Sequence, residues 1–418
     1  PQYVLAFLAA SKLGMVVSSI SPLLTPPEIT HQANDARIHV LLSFDALYPT
    51  VIKPLAGKIP SLKHVLLSSA TELLPSGPAC SIEDERMGDV SVLALGEELQ
   101  KADETPVSSA IAPEDVLFLQ YTGGTTGKAK GAQLTLRNIF VNNLQADAFN
   151  RYRVGEETIA SAYPMFHIGG AAVTYNSLRA GATFMVIPDP RNVVHFCAEM
   201  KARPPTVLIA VPALFQMLLA CPAFRELDFS GLRLAISAAA PFSSDEIQKL
   251  EAVIGEKKIC ELYGMTETSP VQTCNPASRF KLGSVGIPVP GTDIRIVDAE
   301  TGTKDLPLGE PGEIIVHGPQ VMKGYLSADG TSEALRELDG KLWMYTGDIG
   351  VMDEEGYLSL CDRSKDMLIV GGYKLFSVEV ESKLQALPFV ALSAMIGRPD
   401  AARPGNDVAH LYVQRTAG

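Results

Sequence analysis

The sequence holds one tryptophan, six cysteines and seven histidines among 418 residues, and each scarcity removes a class of protein. Cys80, Cys197, Cys221, Cys260, Cys274 and Cys361 never come closer than fourteen positions to one another. No Cys-x-x-Cys metal or redox motif can be built from them, and scattered free thiols suit a reducing compartment. No His-x-x-x-His pair exists either, so no structural zinc is expected. Positive charge is in deficit: 35 Lys and Arg stand against 47 Asp and Glu, a net charge of −12. A nucleic-acid binder usually carries a basic stripe; no such run occurs, so nucleic acid is not an expected partner. A local basic pocket for a phosphorylated ligand remains compatible with that balance. The only membrane-like stretch, Thr206–Phe224, carries no charge but is interrupted by Pro212 and Pro222. It reads as a buried strand followed by a helix, not as a membrane span.

What is present is ordinary globular material. Hydrophobic residues make up 46% and charged residues 20%, which excludes disordered, collagen-like and coiled-coil chains. The length suggests two or three folding units. Short apolar runs recur at Ile38–Ser43, His64–Ser68, Val116–Gln120, Ala182–Ile187, Thr206–Ala210, Leu232–Ser237 and Lys258–Leu262. Several are apolar on both faces, as strands covered by helices on each side must be. Helical stretches separate many of them: one opens at Pro26-Pro27-Glu28, one runs from Leu136 to Asn150 behind Thr135, and one covers Ile247–Ile254 behind a Ser243/Glu246 capping box. The alternation predicts an α/β fold with large, mostly parallel sheets. After about residue 280 the texture changes to short strands between Gly/Pro turns, at Ile294–Asp298, Gly312–Gly318 and Tyr357–Leu360. The expected organisation is a large domain over 1–361 with a β-rich subdomain from about 280, a polar hinge over 362–366, and a partial α+β domain over 367–418.

The most informative stretch is Gln120-Tyr121-Thr122-Gly123-Gly124-Thr125-Thr126-Gly127-Lys128-Ala129-Lys130-Gly131. Its glycines let backbone amides approach a ligand closely. Its threonines add hydroxyl donors and its lysines mobile positive charge, which together suit a polyphosphate. It is not a Walker loop: that motif needs Gly where Thr122 stands and Ser or Thr where Ala129 stands. No G-x-G fingerprint and no G-x-S-x-G elbow occur, so dinucleotide, kinase and serine-hydrolase readings fall away.

The loop Tyr121–Gly131 resembles the signature loop of the adenylate-forming superfamily, which comprises acyl-CoA synthetases, aryl-CoA ligases, peptide-synthetase adenylation domains and beetle luciferases. Further matches follow in that family's order: Tyr163–His167, Ser237–Pro241, Tyr263–Glu267, Gly312–Tyr325, Tyr345–Asp348 and Asp362–Glu381. The resemblance covers practically the whole chain. It implies an enzyme that joins a carboxylate to ATP as acyl-adenylate with release of pyrophosphate, then passes the acyl group to the thiol of coenzyme A. It implies that Thr122, Gly123, Gly124, Thr125, Thr126, Gly127 and Lys128 hold the phosphates, that Glu267 binds Mg²⁺, and that Thr266 donates to the α-phosphate. Ala238, Ala239, Glu261, Leu262, Tyr263 and Gly264 would surround the adenine, with Tyr263 stacking on it and Glu261 facing its amine. Asp348 and Arg363 would hold the ribose, His167 would gate the passage between acid and ATP, and Gly371 and Gly372 would line the pantetheine path. Catalysis would rest on Lys128, His167, Thr266 and Glu267.

Where the family usually reads G-G-x-N-x-x-P-x-E-V-E, this chain carries Lys374 for Asn and Ser377 for Pro. The family also has sequence ahead of Pro1-Gln2-Tyr3 and an adenylation lysine beyond Gly418, so both ends look truncated and the chain as it stands is expected to adenylate poorly. The walls that the resemblance assigns to the acid, around His167–Thr174, Val207–Val211, Ala238–Ala240 and Gly283–Gly286, are small or aliphatic. An unpaired charge there would be costly, which favours a medium- or long-chain fatty acid over an amino acid. The alternatives are an arylpropanoate-CoA ligase, a luciferase-like oxygenase and, from another class, an inactive nucleotide- or acyl-binding homologue. A cytoplasmic protein able to meet membranes peripherally is expected, and of assemblies only a homodimer is entertained.

Overall fold

The apolar runs become strands, several of them buried on both faces, in a computed structural model that describes every residue except 75, 81, 83, 84, 108, 124–128, 371, 372, 386, 401, 402, 405, 417 and 418, and except the side chains of 328, 329, 373, 382 and 385. A seven-stranded sheet runs in the order Ile287–Pro288, Val271–Asn275, Ile259–Gly264, Leu234–Ala238, Val207–Ala210, Thr158–Ser161, Thr183–Val186. Its last five strands are parallel and its first two antiparallel. Alternation explains the unbroken hydrophobicity: Leu208, Ala210, Ala235 and Ile259 enter the core that holds Phe196, Phe215 and Leu250. Val207, Ile209, Leu234, Ile236 and Cys260 enter another on the opposite face. A strand with both faces covered has no polar side to show.

A smaller sheet pairs Val40–Phe44, His64–Ser68 and Val90–Ala94 in parallel, with Glu85–Met87 antiparallel at its edge. A third sheet carries the glycine-rich loop, in the order Val17–Ser18, Val116–Thr122, Lys130–Thr135, Gly324–Tyr325. Beyond it Asp293–Val297, Gly312–His317, Leu335–Leu338, Lys341–Met352 and Leu358–Arg363 form an antiparallel sheet, in the region rich in Gly/Pro turns, with the short helix Ala328–Ala334 leading into Leu335–Leu338. Two hairpins follow, Leu368–Val370 with Tyr373–Leu375 and Val390–Pro399 with Asp407–Arg415, flanking the Ser377–Gln385 helix.

Local signals set the helix starts. Thr135 accepts from the Asn138 amide at 3.1 Å while Asn138 Oδ1 accepts from the Thr135 amide at 2.9 Å, a reciprocal cap for Leu136–Asn150. Ser243 caps Ser244–Ile254, which begins three residues earlier than the apolar period alone suggested. Pro26 opens Pro26–Asp35 behind Thr25. The uncharged 206–224 stretch is the strand Val207–Ala210, the helix Pro212–Ala220 and the short turn of helix Pro222–Arg225, and among the described residues no helix is long and apolar enough to cross a membrane.

Candidate active site

The glycine-threonine-lysine loop is held by its ends. Thr122 stands opposite Lys130 and Tyr121 opposite Gly131 in an antiparallel pair. The Tyr121 hydroxyl donates to Asp35 Oδ2 at 2.6 Å, and a His31 ring nitrogen lies 3.4 Å from the Ala129 carbonyl. Gln120 Nε2 donates to the Phe166 carbonyl at 3.0 Å, joining the loop strand to the Tyr163–His167 stretch. Gly123 is exposed, with open space where a side chain would stand. Gly124, Thr125, Thr126, Gly127 and Lys128 lie outside the described residues, as do Gly371 and Gly372.

Thr266 and Glu267 sit in a 3-10 turn at the carboxyl end of Ile259–Gly264. Both are buried, Glu267 at 4% exposure. Thr122 Oγ1 donates to Glu267 Oε1 at 3.4 Å, and the Tyr325 hydroxyl donates to the same oxygen. The Met322 amide closes on the Glu267 carbonyl at 2.8 Å. No cation pairs with this carboxylate among the described residues, and no cluster of three His, Cys, Asp or Glu side chains occurs there. That donor set fits a hard, mostly hydrated divalent cation completed by phosphate oxygens, and it does not fit an all-protein metal cage.

Glu261 lies across from Ser237 in parallel register and from Asn275 in antiparallel register, so the three share one face of the sheet. Glu261 is 8% exposed, and burial pushes its carboxyl up to about 7 against the bond to Asn275. Ser237 Oγ is buried with no hydrogen-bond partner among the described residues. Next to it the chain passes Ala238 and Ala239; Ala239 has φ +72°, a left-handed conformation costly for a residue with a Cβ. The Tyr163 hydroxyl donates to the Ala238 carbonyl at 2.9 Å. Leu262 packs toward the opposite core. A Cβ on Gly264 would stand 1.8 Å from the Pro270 carbonyl oxygen, so only glycine lets the turn close.

Tyr263 is buried, its ring in the core with Leu117, Phe118 and Ile314. Its hydroxyl donates to Asp348 Oδ2 at 2.6 Å. Asp348 faces Arg363 across the antiparallel ladder, and Arg363 Nε reaches Asp348 Oδ1 at 2.9 Å. Burial raises the Asp348 carboxyl, opposed by the Tyr263 bond and the Arg363 charge. His167 caps the Ile168–Arg179 helix, its Nδ1 accepting from the Gly169 amide at 3.2 Å. It sits at an exposed lip, yet desolvation by the surrounding protein lowers its pKa. A Cβ on Gly170 would meet the Pro164 carbonyl oxygen at 2.1 Å, so that glycine serves the tight turn behind the histidine.

The structure therefore joins Thr122 to Glu267 and Tyr263 to Asp348 and Arg363, and sets Glu261 beside Ser237 and Asn275, with His167 tied to the loop strand through Gln120 and Phe166. Sequence reading assigned no role to Tyr325, Asp35 or Ser237. Tyr325 and Ser237 fell inside stretches already singled out, Gly312–Tyr325 and Ser237–Pro241, while Asp35 carried no local signal. At the end of the Leu358–Arg363 strand, Asp362 Oδ2 accepts from the Ser377 amide and from Ser377 Oγ, each at no more than 2.8 Å. An open groove of about 590 Å³ on the antiparallel sheet contains none of these residues, and its Arg295 and Lys341 are already paired with Asp305, Asp339 and Asp293.

Comparison with known proteins gives concordant results. The model of the AMP-binding enzyme family matches residues 1–326. The chain is 33% identical over 423 residues to a long-chain-fatty-acid–CoA ligase of Escherichia coli O6:H1, covering 96% of this chain and 72% of that protein. It is 29% identical over 431 residues to a 4-coumarate–CoA ligase of Humulus lupulus, covering all of this chain and 74% of the relative. The crystal structure of ATP-bound MatB from Rhodopseudomonas palustris superposes with a TM-score of 0.83 at 30% identity, over 99% of this chain and 76% of that one. The O-succinylbenzoate–CoA synthetase MenE of Bacillus subtilis, in complex with ATP and magnesium, superposes at 0.77 with 25% identity, over 99% and 77%.

Proposed function

The chain belongs to the AMP-binding, adenylate-forming family, and from that premise we propose that this AMP-forming acid–CoA ligase activates a medium- or long-chain fatty acid. The observation that carries the reading is the hydrogen bond from Thr122 to Glu267. That bond sets Thr122 beside a buried carboxylate 145 residues away, which supports the reading because gathering a triphosphate and its cation needs a hydroxyl donor and a carboxylate together.

In the first half-reaction a carboxylate oxygen attacks the α-phosphorus, the bond to the bridging oxygen breaks, and pyrophosphate leaves. Thr122, Thr125, Thr126 and Lys128 grip the phosphates, Gly123, Gly124 and Gly127 let the backbone approach them, and Thr266 donates to the α-phosphate. Glu267 would hold Mg²⁺, which when bound neutralises phosphate charge. The unpartnered Ser237 hydroxyl and the Glu261 carboxyl form a buried polar edge for the base, beside Ala238, Ala239, Leu262 and Gly264. Tyr263 shapes the sugar end through Asp348, which accepts the ribose hydroxyls beside Arg363. His167, at the lip, orients the acid and closes the passage.

In the second half-reaction the thiol of coenzyme A attacks the acyl carbon and AMP leaves. Residues 1–361 form the adenylation body, 362–366 the hinge, and 367–418 belong to the moving domain, with Gly371 and Gly372 assigned to the thiol's path. The fatty-acid assignment rests on the aliphatic walls and on the 33% identity to a long-chain-fatty-acid ligase. The second reading, an arylpropanoate ligase, is favoured by the 29% relative and by the small residues at 238–240. A panel of acids assayed by pyrophosphate release decides between them. Preference for C8–C16 acids is expected, and a clear preference for cinnamates would overturn the fatty-acid reading.

A further inference from the structure

The oxygen of Glu267 that Thr122 reaches is also the one taken by Tyr325, a residue 58 positions further along the chain. Tyr325 is fixed with unusual completeness for a residue in a two-residue strand. It pairs with Ala132 across the ladder, next to Gly324 opposite Gln133. Its amide donates to Thr331 Oγ1 at 2.8 Å, and its carbonyl accepts from Thr331 Oγ1 at 3.1 Å and from Gln133 Nε2 at 2.9 Å. Gly324, at φ +147°, lets Thr331 close in, since a Cβ there would stand 2.9 Å from Thr331 Cγ2. Lys130 Nζ lies 5.6 Å from the centre of the Tyr325 ring while bridging to Glu333 at 3.2 Å. Four elements thus hold one phenol hydroxyl against one carboxylate oxygen.

A buried carboxylate that is to take a cation must be kept in one orientation with an oxygen unspent. Among the described residues, Oε1 receives both hydroxyl donors and Oε2 receives none. We infer that Tyr325 is a positioning residue for the cation site: its hydroxyl pins Oε1 and so presents Oε2 of Glu267 to magnesium. Outer hydrogen bonds of this kind fix the orientation of metal-binding carboxylates, and losing one typically costs 10–100-fold in metal affinity. The inference rests on the reading of Glu267 as the magnesium carboxylate.

The test is titration calorimetry of a non-hydrolysable ATP analogue into the full 418-residue chain, with and without magnesium chloride, for the wild type and Tyr325→Phe. Phenylalanine keeps the ring and its packing and removes only the hydroxyl. The expected result is unchanged analogue affinity without magnesium, with the magnesium-dependent gain requiring roughly 10-fold or more higher metal concentration in the variant. In a Glu267→Gln background Tyr325→Phe should then have no further effect, because the group it orients is gone. Identical magnesium dependence in wild type and Tyr325→Phe overturns the positioning role while leaving the cation reading intact. A wild type whose analogue affinity ignores magnesium overturns that reading, and this inference with it. Equal loss of affinity with and without the metal, or a further loss in the Glu267→Gln background, shows a packing role instead and overturns the inference.

Discussion

The Tyr263 hydroxyl and Asp348 Oδ2, 85 residues apart in the chain, are 2.6 Å from one another. The bond joins an inner strand of the seven-stranded sheet to the antiparallel sheet, and it leaves Asp348 Oδ1 to Arg363. Tyr263, proposed to face the adenine, and Asp348, proposed to hold the ribose, are therefore one unit, which Arg363 extends through Asp348.

Asp348→Asn keeps the shape and a hydrogen bond to Tyr263 but removes the charge. Arg363 is 61% exposed at its side chain, so the ion pair itself adds little stability and the melting temperature should barely move. Nucleotide binding should weaken by about 1.5–3 kcal/mol, the range for hydrogen bonds to a charged group. Calorimetry with an acyl-adenylate analogue checks this; undiminished affinity would remove Asp348 from the site.

Glu267→Gln is expected to lower adenylation severely while leaving the fold as stable as before or more so. The carboxylate is buried without a cationic partner among the described residues, and desolvating an unpaired charge opposes folding. A parallel measurement of pyrophosphate release and of thermal unfolding tests the pair of outcomes. Lost stability together with retained activity would contradict both.

Glu261 makes stability depend on pH in an unusual sense. Its folded carboxyl titrates near 7 against an ordinary 4.5. The unfolded chain therefore gives up the proton first as pH rises, and stability present below about 4.5 is lost progressively up to about 7. Glu261→Gln should abolish that slope, gaining on the wild type by up to roughly 3 kcal/mol above pH 7, at 1.36 kcal/mol per unit. Denaturant unfolding of both proteins between pH 4.5 and 8 is the measurement, and parallel curves would refute the assignment.

The hinge proposed over 362–366 leads to a fourth expectation. Ser364 donates its amide to the Gly347 carbonyl at 2.8 Å, and the Asp366 amide reaches the Arg363 carbonyl at 3.0 Å. These bonds form a turn around Lys365. Lys365→Pro restricts that backbone and should slow thioester formation more than adenylate formation. Assaying the half-reactions separately tests the swivel, and equal loss in both would count against it.

Much of this was legible in the residues. His64–Ser68 is a strand with the bounds its apolar run gave, and Thr135 caps the helix that it was expected to cap, because period and capping are local effects. The family was legible too, since its motifs stand in the expected order along the chain, and the family model and the relatives agree with that reading.

Partnerships across the chain were not legible. Nothing in the neighbourhood of Tyr325 says that its hydroxyl ends on Glu267, or that Cys260 and Cys274, fourteen positions apart, lie with their sulfurs 3.2 Å from one another. Nor does Ala239 look like a residue with a positive φ, a place where glycine would be expected. Sequence spacing encodes the 2-residue and 3.6-residue periods of strands and helices, and with them which faces are apolar. Strand order and the meeting of distant side chains depend on how several cores pack together, and that is settled only when the whole chain closes on itself.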